Sequence, residues 1–122
     1  MAGGRIEQGE IYWLERGEPF GSEDGYRRPY LVIQNDRANR SALKTIIVCP
    51  LTSNLRRAAA PGNLVLEPAQ SGLSARSVVN TSGIASLDRK RFGAPVGRVS
   101  RAQIGQIVAG VNRLLEPPVH AG

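Results

Sequence analysis

Through most of the chain apolar residues come in short blocks, and only near the end do they fall into a three-and-four rhythm. Glu10-Ile11-Tyr12-Trp13-Leu14 is aromatic and β-branched and predicts a first strand. Pro29 to Gln34 predicts a second, and its continuous apolar run Tyr30-Leu31-Val32-Ile33 reads as burial on both faces. Thr45 to Leu51 predicts a third strand and Asn63 to Glu67 a fourth. Arg76 to Asn80, Ile84 to Leu87 and Pro95 to Val99 predict further short ones. Two polar stretches are long: Arg16 to Arg28, broken by Gly17, Pro19, Gly21 and Gly25, and Thr52 to Gly62, which holds Arg56-Arg57 and Pro61-Gly62. Loops of that length in a compact domain are usually functional or disordered. Asn35 to Ser41 is a polar connection with room for a helical turn, and Asp88 to Arg91 reads as a turn.

The terminal rhythm predicts a helix. Ser100 with Gln103 three residues on is a capping-box signal. Ile104, Ile107, Val108, Val111, Leu114 and Leu115 then share one face, and Pro117-Pro118 ends the run. Gly105 and Gly110 each weaken the helix by roughly 0.5–1 kcal/mol relative to alanine, so it depends on packing against a sheet. Many short strands followed by one late helix predict a mainly β fold with α, a small β-barrel closed or covered by that helix. No internal repeat and no long linker interrupts it, and 122 residues is the size of one domain.

Composition narrows the classes. A chain this long buries enough surface to fold without a disulfide or metal. The single cysteine, Cys49, lies in Ile46-Ile47-Val48-Cys49 and reads as a buried small hydrophobe. The only histidine, His120, sits in a Pro-Pro-flanked tail, which leaves neither a two-histidine ribonuclease nor a Cys/His/Asp metal cluster to build. No signal-peptide pattern and no membrane-length apolar run is present, so a soluble cytoplasmic protein is expected. The net charge of +6 is unevenly spread: residues 1–24 sum to −4 and residues 25–122 to +10. Fourteen of the sixteen bases are arginine, whose fork grips phosphate in a bidentate way that lysine does not. A GC-rich genome also raises arginine but does not explain the asymmetry, which points to nucleic acid or an acidic protein partner.

Candidate chemistry concentrates in Gly21 to Asn35, GSEDGYRRPYLVIQN. Glu23, Asp24, Arg27 and Arg28 stand in a polar loop that runs at Pro29 into the second strand, where binding groups are commonly placed. Pro50-Leu51-Thr52-Ser53-Asn54 leaves the third strand in the mirror-image way. If the two strands are antiparallel neighbours, Arg28 and Thr52 face one patch, and a cation with a hydroxyl there can hold a phosphate. From spacing alone a pair of solvated loops fits better.

The segments GEIYWL (9–14), GSEDGYRRPYLVIQND (21–36), Asn39, VCPLTSN (48–54), PGNLVLE (61–67) and SVVNTSGIASLDRKR (77–91) decide more. In this order they resemble the MazF/PemK family, toxins of type II toxin–antitoxin modules, over residues 6 to 115, with 117–122 left as a tail. The resemblance implies a small SH3-like barrel of the CcdB/PemK type with a C-terminal helix. It also implies a homodimer, sequence-specific cleavage of single-stranded RNA (mRNA above all) without a metal or other cofactor, and inhibition by an acidic MazE-like antitoxin.

It further implies that Arg28 and Thr52 are catalytic and that Glu23 is associated with activity, either as base for the ribose 2′-OH or as a carboxylate that orients arginine. Arg27 is expected to clamp backbone phosphate, and Ser22, Ser53 and Asn54 to read bases or sugars. Phe20 and Tyr26 are the expected stacking groups. Arg56, Arg57 and Arg76 either extend a phosphate track or solvate a face. Tyr12 and Trp13 are expected in the core or an interface. Where the family often carries glutamine before the isoleucine of the late strand, this chain has Gly83, which removes any base contact made there. A gyrase-binding toxin on the same barrel and a non-catalytic RNA-binding barrel are the alternatives.

Overall fold

The computed structural model of the chain describes residues 5–17, 21 and 26–119. Its strands are β1 (Glu10–Glu15), β2 (Arg27–Val32), β3 (Thr45–Thr52), β4 (Leu64–Leu66), β5 (Ser77–Val79), β6 (Ala85–Asp88) and β7 (Gly97–Arg98). The helices are α1 (Asp36–Asn39), α2 (Pro68–Ser71) and α3 (Arg101–Leu115). The strands form one antiparallel sheet in the order β4-β5-β3-β2-β1-β7, with β6 also on β3.

Strand β3 sets the shape. Thr45 to Val48 pair with β6, whereas Leu51 and Thr52 pair with β5, so two strands share one of its edges and the sheet folds over there. The result is a curled half-barrel with a C-terminal helix, the mainly β architecture expected from the strand and helix signals. Its end strands, β4 and β7, are joined through α2. A Cβ on Gly97 would lie 1.8 Å from the Ser71 carbonyl oxygen, and one on Gly72 2.3 Å from that of Val96, so backbone meets backbone there with no room for a side chain. Gly72 also needs the left-handed region, at φ +78°.

Alternation along the strands sorts two cores. Ile11, Leu31, Cys49 and Leu51 face Ile104, Ile107 and Val111 of α3. Tyr12, Tyr30, Val32, Ile46 and Val48 form the other, with Phe92 set edge-on to Tyr12 at 5.1 Å. Strand β2 is buried on both faces, as its unbroken apolar run predicts. Burial pushes the Cys49 thiol up to about 12, as befits a small hydrophobe rather than a nucleophile.

The structure departs from the sequence reading at several element ends. Strand β2 starts two residues earlier, at Arg27, because the β1 hairpin extends to a Glu15–Arg27 pair. It stops at Val32, where Ile33 N and Gln34 N both donate to the Ile47 carbonyl (3.0 and 3.1 Å) and side chains join the pairing. Gln34 Nε2 donates to Asn39 Oδ1 (2.9 Å) and to the Thr45 carbonyl (3.2 Å), while its Oε1 accepts from Ile47 N (3.2 Å). Asn39 is therefore a buried structural group. Helix α3 has the expected Ser100–Gln103 capping box. Leu114 and Leu115, expected on its apolar face, are exposed, because α3 runs past the end of the core. Gly110 is buried on that face instead.

Candidate active site

The β2–β3 pairing places Tyr30 opposite Pro50 and Leu31 opposite Cys49. Continued by two residues, the same register sets Arg28 opposite Thr52. Both line one cavity of about 190 Å³, with Pro29, Leu51, Ser53 and Trp13. The facing wall comes from the segment after α2: Leu73, Ser74, Ala75 and Ser77. The antiparallel condition set by the sequence is met, and the two residues occupy one site.

Arg28 is half-buried, which brings a permanent cation into a partly desolvated place, where its field is stronger than in water. Thr52 Oγ1 accepts from Asn54 N at 3.2 Å, which fixes the hydroxyl and leaves its proton to be donated into the cavity. Asn54 Oδ1 in turn accepts from Arg56 N (3.2 Å) and starts a 3₁₀ turn over Leu55–Ala59. The side-chain oxygen of Asn54 is thus engaged locally, as the cap of that turn. Arg56 and Arg57 stand exposed on that turn, outside the cavity walls. Asn63 anchors it from beyond: Nδ2 donates to the Arg57 carbonyl (2.8 Å), and Oδ1 accepts from the backbone and hydroxyl of Thr81 (both 2.9 Å).

Arg27 lies over the Trp13 ring, 5.4 Å from its centroid, a cation–π contact at the rim. Tyr26 is exposed and has φ +54°, uncommon for a residue with a side chain. Its N–H donates to the Gly17 carbonyl and its carbonyl accepts from Arg16 N at 3.1 Å, which closes the neck of the 17–26 loop. Phe20, Ser22 and Glu23 lie outside the described residues, as does His120. Arg76 pairs with Glu67 at 3.0 Å on the exposed surface. Among the described residues no three His, Cys, Asp or Glu side chains gather to hold an ion.

Sequence reasoning missed Trp13 and the Leu73–Ser77 wall. Tyr12 is core as expected, but Trp13 is 39 % exposed and lines the cavity. The hairpin register that sets Leu14 opposite Arg28 also sets Trp13 opposite Pro29, beside the arginine already singled out. The Leu73–Ser77 wall arrives by a β5–β3 pairing of distant segments and left no local mark.

A family model described as the PemK-like, MazF-like toxin of type II toxin–antitoxin systems matches residues 7–115. Endoribonuclease MazF6 of Mycobacterium tuberculosis (strain ATCC 25618 / H37Rv) is 40 % identical over 111 residues, covering 91 % of this chain and 97 % of that protein. The crystal structure of MazF (Form-I) from Deinococcus radiodurans superposes with a TM-score of 0.76 at 24 % identity, over 94 % of this chain and 100 % of that one. An endoribonuclease in complex with its cognate antitoxin from Mycobacterial species gives 0.74 at 22 %, over 94 % and 99 %. The chain that carries Arg28 and Thr52 on one cavity belongs to the PemK/MazF family of type II toxins.

Proposed function

We propose that this chain is an endoribonuclease toxin that cleaves single-stranded RNA, mRNA first, at the cavity shared by Arg28 and Thr52. The observation that carries the reading is the β2–β3 register, which joins those two residues in a chain of this family. RNA brings its own nucleophile. The ribose 2′-oxygen bonds to the adjacent phosphorus, the P–O5′ bond breaks, the 2′ proton leaves to a base, and the departing O5′ takes a proton from water. The products are a 2′,3′-cyclic phosphate and a 5′-OH end.

The protein's share is to hold the chain in line and to stabilise charge on the phosphorane. Arg28 grips two nonbridging oxygens through its guanidinium fork, which holds its protons too tightly to be the acid. Thr52 donates its hydroxyl to one of those oxygens. Glu23 is the base for the 2′-OH or the group that orients arginine. This chemistry calls on a guanidinium and hydroxyls at the cavity and on no metal. Arg27, Arg56 and Arg57 guide the phosphate backbone at the rim, and Ser53 reads the neighbouring sugar or base.

The same arginines suit an acidic antitoxin segment that orders on binding and fills the groove. The toxin acts as a homodimer in the cytoplasm, with residues 1–122 as one domain. Exposed Leu114 and Leu115 offer apolar surface to a second copy, and no described helix is long and apolar enough to cross a membrane. Purified protein in EDTA should cut a long single-stranded RNA into discrete fragments that end in cyclic phosphate. Intact RNA, the outcome for a gyrase-binding or merely RNA-binding barrel, or 3′-OH and 5′-phosphate ends, would overturn the proposal.

A further inference from the structure

We infer that Trp13 and the Leu73–Ala75 wall form a pocket for one nucleobase flanking the scissile phosphate; this rests on the cleavage reading above. The cavity has a polar end, Arg28 with Thr52, and an apolar remainder made by Trp13, Pro29, Leu51, Leu73 and Ala75. A phosphate needs only the polar end. At about 190 Å³ the cavity is smaller than the roughly 300–1,000 Å³ of drug-sized sites, so it takes one nucleotide's flat portion and not two. Aromatic side chains beside a cationic track are how proteins hold single-stranded bases, because every base has a π-face.

The walls are set before any ligand arrives. Trp13 is held from the rim by Arg27, which does not itself line the cavity. The opposite segment is pinned at both ends. Ser71 Oγ accepts from Leu73 N at 3.0 Å, and Ser77 Oγ donates to the Ala75 carbonyl at 3.1 Å. The Gly72–Gly97 approach fixes its entry, and the Arg76–Glu67 pair turns the one charged side chain of the segment to another partner. Preorganised walls of this kind lower the ordering cost of binding. Ser74, on the wall and exposed, is then placed to meet the base edge and bias which base is accepted.

The test uses a defined RNA with a mapped cleavage site, and versions in which the base on either side of the scissile phosphate is removed while the ribose is kept. kcat/KM is measured for the full chain, Trp13→Ala, Trp13→Phe and Arg27→Ala. One abasic substitution should slow the wild-type protein about 5- to 150-fold, the range for one base–aromatic stack. Trp13→Ala should lose a similar factor on intact RNA and be nearly indifferent to that abasic change. Trp13→Phe should retain most of the discrimination. Arg27→Ala should be slower yet keep the abasic penalty, which separates stacking from loss of the rim cation. If Trp13→Ala slows intact and abasic RNAs by one common factor, Trp13 is a structural residue and the inference fails. No cleavage of intact RNA by the wild-type protein would sink the function reading itself.

Discussion

The seat of α3 can be tested by one substitution made at two positions five residues apart. Gly105 is exposed, and a Cβ added there meets nothing within 4 Å. Gly105→Ala should therefore stabilise the fold by about 0.5–1 kcal/mol through helix propensity alone. At Gly110 the same Cβ would lie 2.4 Å from the Gly62 carbonyl oxygen and 2.9 Å from its Cα. The obstacle is backbone, so relief requires moving α3 away from the Pro61–Asn63 turn. Overpacking of this sort costs about 1–3 kcal/mol, which exceeds the propensity gain. The variants should then differ by about 2 kcal/mol, or about 8 °C in Tm at about 4 °C per kcal/mol. Urea and thermal unfolding at matched protein concentration measure this, since an oligomer's apparent stability depends on concentration. If Gly110→Ala proves as stable as Gly105→Ala, α3 does not sit on Gly62 and the packing account is wrong.

Three further outcomes follow from the same geometry. Asp36 accepts the Gln8 N–H at 2.7 Å, and that bond, opposed by burial and helped by Asn39, holds its carboxyl below the usual value. A depressed folded pKa gives stability above the ordinary carboxylate range that is lost as pH falls through the folded value, so the stability gap between wild type and Asp36→Asn should shrink from about pH 6 to about pH 3. A gap that does not change with pH would refute it. Cys49 should resist alkylation in the folded protein at mildly alkaline pH and react at the rate of unfolding; prompt labelling would contradict its burial. RNA binding should weaken with salt at a logarithmic slope of about −0.7 per neutralised phosphate, and Arg56→Ala or Arg57→Ala should each reduce that slope. A flat response would remove both from the phosphate track.

Local signals carried the fold furthest where they repeat. The Ser100–Gln103 box and the spacing of Ile104, Ile107 and Val111 place α3, and the unbroken Tyr30–Ile33 run marks a strand buried on both sides. Short strands were harder. Strand β7 is two residues long and forms by pairing with the distant β1, at a place where Gly97 also lets the Ser71 backbone approach. Arg28 and Thr52 were legible because each flanks a strand and antiparallel pairing brings strand ends together. Trp13 was not, since an aromatic residue in a strand defaults to the core until the register is known. Gly110 read as a helix weakness for the same reason: its partner, Gly62, lies 48 residues away in sequence.

The measurement closest to the central claim is RNA cleavage by three proteins, the wild-type chain, Arg28→Ala and Thr52→Ala, on one defined single-stranded RNA in EDTA. Loss of one preorganised donor to a charged transition state costs about 10²–10³ in rate. Both variants should therefore fall by at least that factor while folding normally, and the wild type should leave cyclic-phosphate ends. If either variant cuts at the wild-type rate, the cavity between β2 and β3 is not where the bond is broken.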